Sequence, residues 1–288
     1  DLDVSNNSAI SEIYCEDNNL TSLDVSRNTS LTHLSCSENQ LTSLDISNNT
    51  SLSSLNCNDN LFANLDFSNN TSLSTILCND NPLTTFNVSG CTTLEELECG
   101  NNLLHSFDVS DCTNLKSFHC RDCNNLTNLD LSNNSMLELL VCNSSGLTEL
   151  DVSNNTALVC LYCDNGAIKT LIASNNPALT LITCQRNGLA NIDVSGCTSL
   201  DWLLCYDNDL TNLDVSNCAA LTKLDCHANN LTNLDISNNF HCKDLGISEM
   251  PSLTKVCVWE MPFPPVGVEF GLHMDESPNV YFTADCSK

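Results

Sequence analysis

The chain alternates apolar and polar residues in short bursts, and turn residues break each burst at a fixed interval. Residues Leu31 to Ser51 show one unit, LTHLSCSENQLTSLDISNNTS. Its first half spaces Leu31, Leu34, Cys36, Asn39 and Leu41 as L-x-x-L-x-C-x-x-N-x-L. Its second half, Leu44-Asp45-Ile46-Ser47-Asn48-Asn49, alternates and then turns. A period of two predicts one short extended segment in each half, with Leu34 and Cys36 facing inward together and Leu44 and Ile46 doing the same. The cysteine recurs at Cys15, Cys36, Cys57, Cys78, Cys99, Cys120, Cys142, Cys163, Cys184, Cys205 and Cys226. Every interval is 21 residues except the 22 from Cys120 to Cys142. Such a unit leaves little room for a helix, so strands, turns and isolated 3₁₀ pieces are expected. One unit cannot bury its own apolar residues, but stacking about a dozen makes one core.

The quoted motif is the leucine-rich repeat pattern with cysteine at one apolar position. It recurs over about 240 of the 288 residues. The chain resembles bacterial cell-surface leucine-rich repeat proteins of the internalin type, and among them the internalin J-like cysteine-ladder group with 21-residue repeats. The resemblance implies a leucine-rich repeat solenoid, a right-handed superhelix that is α/β by convention but helix-poor and mostly β. About 12 repeats would line up a parallel concave sheet. It further implies a secreted or cell-surface protein of adhesion or host-interaction type, without catalysis. A reduced cysteine ladder in such a protein points to an anaerobic bacterial source. The chain carries no LPxTG-like motif.

Two domains are expected. Residues 1–240 form the solenoid, which starts in mid-repeat and so reads as truncated at its N-terminal edge. Residues 241–288 form a degenerate last repeat and a C-terminal cap, because the prolines of Trp259–Pro265 cannot extend a ladder and aromatics can cover an exposed core. A monomer is expected; association through the uncapped edge is the alternative.

Polar residues also fall into columns. Asn18, Asn39, Asn60, Asn81, Asn102, Asn187, Asn208 and Asn229 follow the ladder cysteine by three positions. An amide there can serve backbone groups of successive turns. Cys123, Ser145 and Gly166 interrupt the column and predict a local irregularity between Cys120 and Gly166. A second column runs through Asn7, Asn28, Asn49, Asn70, Asn134, Asn155, Asn176 and Asn239. Ten aspartates, among them Asp24, Asp45, Asp66 and Asp108, sit between two inward residues and must point outward. One carboxylate per turn suits a hydrated face better than a calcium site, which needs several oxygens.

Composition adds constraints to this frame. A net charge of −27 argues against nucleic acid and anionic membrane as partners. No apolar run approaches the roughly 18 residues that would insert in a bilayer. Twenty cysteines with only 9 glycines do not fit a small disulfide scaffold. The ladder thiols read as buried, reduced hydrophobes. No spacing supplies a metal cage, and no cofactor motif occurs. Cys91 with Cys112, and Cys197 with Cys218, take the second asparagine column's place in adjacent repeats. These read either as two disulfides or as a duplicated repeat with a small buried residue. Cys257 and Cys286 are positioned to close the tail.

Candidate function lies on the outward residues around the first strand, which line the concave face in leucine-rich repeats. Early repeats present small polar residues there, such as Ser54, Asn56 and Asn58. Later repeats present Leu139, Val141, Tyr162, Leu181, Trp202, Leu204 and Tyr206. An outward apolar and aromatic patch marks an interaction surface. These residues are the candidate binding site for a protein or a glycan. Glu96, Glu98, His119 and Arg121 precede them, but a flat strand face is expected to offer no pocket for catalysis. The competing function is a structural spacer that presents another domain of a longer surface protein.

Overall fold

The computed structural model describes residues 2–267, 269–277 and 279–286. Among the described residues the chain is a helix-free parallel β-solenoid of about 12 turns. No helix among them is long and apolar enough to cross a membrane. Two compact units are resolved, Asp1–Gly146 and Leu147–Lys288.

In the first unit the ladder strands are Glu12–Tyr14, His33–Ser35, Ser54–Asn56, Thr75–Leu77, Glu96–Glu98, Ser117–His119 and Leu139–Val141. They pair in that order, all parallel. Their central residues Ile13, Leu34, Leu55, Ile76, Leu97, Phe118 and Leu140 lie in register and are buried. The 22-residue interval therefore leaves the ladder unbroken. Its extra residue is taken up beside Asn124, whose carbonyl presses on Gly146 so closely that a Cβ there would collide. Opposite the ladder, Asn64–Asp66 pairs with Thr85–Asn87. Phe67, Phe86, Phe107 and Phe118 cross the core edge to face, with centroids 5.6, 6.1 and 5.6 Å apart.

In the second unit Cys160–Tyr162, Leu181–Thr183, Trp202–Leu204, Lys223–Asp225, Asp244–Gly246 and Gly271–His273 form the same kind of ladder. Opposite it stand two shorter sheets, Glu149–Asp151 with Thr170–Ile172 and Asn191–Asp193, and Asn233–Asp235 with Lys255–Cys257 and Tyr281–Thr283. Residues beyond 240 thus enter both ladders. Around them Phe263 packs on Trp259, Phe270 and Phe282 at 5.3, 4.9 and 5.0 Å.

Each turn leaves the ladder strand through a residue in the left-handed region two positions after the ladder cysteine. Asp17, Glu38, Asp59, Asp80, Asn101 and Asp122 show this in the first unit, and Arg186, Asp207 and Ala228 in the second, all with φ between 51° and 57°. Asp and Asn tolerate that conformation through local hydrogen bonds.

The ladder cysteines are buried, and none of them is in a disulfide. Burial pushes the Cys36 thiol up to about 12 and holds Cys57, Cys78 and Cys99 well above the ordinary range, so they pack as uncharged side chains. Cys15 and Cys78 each donate S–H to a carbonyl of the following turn, at 3.4 and 3.3 Å.

Buried amides tie the turns together. In the first column Asn39 donates to the carbonyls of Cys15, Cys36 and Ser37 at 3.0 to 3.1 Å and accepts from Leu20 N–H at 2.9 Å. Asn60, Asn81, Asn102, Asn208 and Asn229 repeat that pattern. The second column works differently. Asn49 donates to Val25 and Asn28 carbonyls at 3.1 and 2.8 Å, but its buried Oδ1 has no partner, and the same holds for Asn28 and Asn70. An orphaned buried acceptor costs about 1–3 kcal/mol.

That difference explains four of the cysteines outside the ladder. Cys91 donates to Phe67 and Asn70 carbonyls, Cys112 to Val88, Cys197 to Ala173 and Cys218 to Val194. Each acceptor lies where the second-column amide would bond, and a thiol brings no second polar atom to bury. The stacked pairs are therefore free thiols doing an amide's work, and not disulfides. Cys257 and Cys286 do form a disulfide, with Cα atoms 5.6 Å apart.

The outward aspartates serve the turns. Asp45 Oδ1 accepts from the backbone N–H and the hydroxyl of Ser47 at 3.0 and 2.7 Å. The Ser47 hydroxyl and then its N–H hold the Asp45 carboxyl below its ordinary value. Asp24, Asp108 and Asp214 are held down in the same way, and Asp66 and Asp193 by the serine N–H first and then its hydroxyl. Asn87 takes the position in one turn and caps Ser89 N–H at 3.0 Å.

A thiol assay on the denatured, unreduced protein should count 18 thiols, rising to 20 after reduction. In denaturant melts Asn49→Cys should stay within about 1 kcal/mol of the parent, whereas Asn39→Cys, which also loses an acceptor, should cost about 2 kcal/mol or more. Because its folded pKa is depressed, Asp45 contributes stability that is present above its unfolded pKa near about 3.9 and is lost as pH falls through the folded value. Thermal melts at neutral pH should therefore show Asp45→Asn, which keeps the turn acceptor, harmed less than Asp45→Ala. At about pH 3 the gap between Asp45→Asn and the parent should narrow.

Candidate functional site

The outer face of each ladder is set by the first and third residues of every strand, together with the residue after the ladder position. Alternation sends the central residue inward and these outward. In the first unit Leu139 and Val141 stand at the two ends of one strand, beside Ser117 and His119 of the strand before. Both are half-buried.

In the second unit the remaining predicted residues fall in three rows. The first runs Cys160, Leu181, Trp202 and Lys223. Leu181 is thus the in-register neighbour of Trp202, which is 46% exposed and the most open of the predicted set. The second row runs Tyr162, Thr183, Leu204 and Asp225. Thr183 is buried and donates its hydroxyl to Asp164 at 2.9 Å, so Tyr162 and Leu204 are separated by a polar, satisfied step. Tyr206 lies in the third row, stacked flat on His227 with centroids 4.4 Å apart and planes 10° from parallel. Parallel aromatic faces at this distance add attraction beyond their buried area.

The aromatic rings hold the face's own cations. Lys223 Nζ sits 5.7 Å from the Trp202 ring centroid, and the Arg186 guanidinium carbon 6.0 Å from that of Tyr206. Both distances fall within the reach of a cation–π contact. Lys223 also pairs with Asp244 at 2.9 Å, and this hydrogen bond pushes the lysine pKa up.

Sequence reasoning missed the charged half of this face. His227 Nδ1 lies 2.6 Å from Asp225 Oδ1, and His273 Nε2 3.4 Å from Asp244 Oδ1. The signal was present as Asp225-x-His227, two outward positions on one edge of the ladder. At this end of the second unit the ladder face is not flat. Gly246 and Gly271 leave gaps where neighbouring turns carry side chains, and an open hollow of about 420 Å³ lies over Gly246. A Cβ at 246 would run into the Asp225 carboxylate, which would have to swing aside.

The earlier cluster is a surface network. Glu98 accepts from the Asn79 amide at 2.6 Å and lies 3.3 Å from His119 Nδ1, with both side chains about a quarter exposed. Among the described residues one group of metal-type donors comes together, Asp235 with Cys257 and Cys286, and there the two sulfurs are bonded to each other.

No protein-family model and no curated protein sequence matches the chain. Solved structures do. The functional domain of InlJ from Listeria monocytogenes, which includes a cysteine ladder, superposes with a TM-score of 0.78 at 31% identity, over 96% of this chain and 64% of that one. The chain thus spans less than two thirds of that domain's length. An internalin, InlF, from the same organism gives a TM-score of 0.62 at 22% identity, over 87% of this chain and 74% of that one. The LRIM1/APL1C complex gives 0.68 at 15% identity, over 86% and 53%. The last two likenesses establish the fold alone. With the L-x-x-L-x-C-x-x-N-x-L unit, the parallel ladder and the buried cysteine column all in place, the chain is a leucine-rich repeat protein of the internalin type with a cysteine ladder.

Proposed function

We propose that the protein is a non-catalytic binding module, secreted or held at a bacterial cell surface, that recognises a partner through the outer face of its ladder strands. The partner is a protein or a glycan. The observation that carries this reading is the row of Leu181, exposed Trp202 and Lys223, backed by the Tyr206–His227 stack. Trp, Tyr and Arg dominate binding hot spots, and here Trp202, Tyr206 and Arg186 share one face. Its internalin-type likeness supports an interaction role in general, and the LRIM1/APL1C complex is an instance of the fold engaged with another chain. Segment 241–288, with its Phe263 cluster and its disulfide, is the element we assign to closing the solenoid. A charge of −27 weighs against a nucleic-acid partner.

Trp202→Ala combined with Tyr206→Ala should weaken binding to an array of extracellular proteins and glycans by about tenfold or more, with the melting temperature little changed, since neither residue is buried. Unaltered binding by the double variant would favour the spacer.

A further inference from the structure

The outer face of the last ladder strands changes character within two turns. The first-residue row runs Trp202, Lys223, Asp244, Gly271, and the third-residue row Leu204, Asp225, Gly246, His273. Gly246 opens the hollow of about 420 Å³, and Gly271 lines a second of about 490 Å³ that shares Asp244 and His273 with it. Carboxylates dominate the first: Asp225, Asp244, Glu249 and Asp275 line it. Its one ammonium, Lys223, is taken by Asp244 at 2.9 Å. One oxygen of Asp225 is taken by His227 Nδ1 at 2.6 Å, which leaves its other oxygen and the carboxylates of Glu249 and Asp275 without a lysine or arginine in the hollow.

One wall is flat. His227 lines the hollow, with one side of its ring covered by Tyr206. In the same row the next turn offers only Ser248, and the turn after it Asp275. A planar cation fits between such an imidazole and a carboxylate, since guanidinium groups stack on aromatic faces and fork onto carboxylates. The face already draws cations to its rings, as Lys223 on Trp202 and Arg186 on Tyr206 show. A bare metal ion fits less well, because no three metal-type donor atoms converge in the hollow among the described residues.

We propose that this hollow receives a cationic side chain, an arginine above all, from a partner protein. Its guanidinium would lie against His227 and between Asp225 and Asp275. This rests on the ladder-face reading and narrows it to the chemistry of the partner.

The test is calorimetric titration with a short arginine-rich peptide, and with lysine and glutamate versions, at about 0.15 M salt, where loose surface attraction is screened within about 8 Å. The expected order is arginine above lysine, with no binding of the glutamate peptide. Asp225→Asn with Asp275→Asn should weaken the arginine peptide by about tenfold or more. An equal-charge control, Asp45→Asn with Asp66→Asn, lies in the outward aspartate column and should change it less than about twofold. Equal weakening in both would show general attraction to an acidic chain and overturn the proposal, as would a parent protein that binds no arginine peptide. Asp275→Asn alone, at an exposed position, guards against a folding defect at Asp225 and should by itself weaken binding. On the array, binding lost in Trp202→Ala/Tyr206→Ala but kept in the aspartate variant would retain the face and reject the cation site. Loss confined to uncharged glycans in the aspartate variant would reject it in favour of a sugar.

Discussion

The structure depends on one interaction, the buried side-chain amide that bonds to the backbone of the turn before it. Asn39 reaches the Cys15 carbonyl of the previous turn and two carbonyls of its own, while its oxygen receives the Leu20 N–H. The chain at these corners is not in a regular ladder, so its polar groups would otherwise be buried and unpaired. The amide fixes how far one turn stands from the next and where each strand begins. Strand register, the cysteine column and the left-handed exit residues all follow from a corner that closes the same way each time. Burial strengthens such bonds and penalises their loss, so the columns give the fold specificity as well as stability.

The repeat was legible because it multiplies every constraint. A leucine, a cysteine and an asparagine that recur at one interval can only be columns, and Leu34, Cys36 and Asn39 are each buried as the alternation requires. The role of the second column was not legible. Nothing in the letter Asn49 says that its oxygen goes unpaired while the oxygen of Asn39 does not. Pairs of cysteines in that column therefore read equally as bridges or as a duplicated small residue, when the reason for them is a site that wants a donor and no acceptor. The hollow was hidden for a related reason. A pattern read turn by turn treats Gly246 and Gly271 as decay of the motif, yet their effect comes from what Asp225 and Asp244 do in the space beside them.

Acidic residues divide into two populations with different work. Those of the outward column are spent locally, each holding the N–H of a serine two residues on. Those on the ladder face of the second unit pair with His227, His273 and Lys223 and leave charge over. The first population gives the chain much of its net charge; the second gives one face its chemistry. Counting acids alone would not separate them.

The corner amide also bears on how such a chain can change length. Its cross-turn bond partners lie mostly 19, 21 or 24 residues back along the chain, as for Asn49 with Asn28 and Asn39 with Cys15. Removing or duplicating a whole 21-residue unit puts an equivalent carbonyl in each vacated place, so recombination between repeats can add or remove turns without a new core being invented. The neighbourhood of Asn124 and Gly146 is the exception. There the added residue has matched one turn to one neighbour, and a crossover through it would set an ordinary turn against a carbonyl that only glycine accommodates. Length is thus a heritable variable for most of this protein, with one seam where it is not.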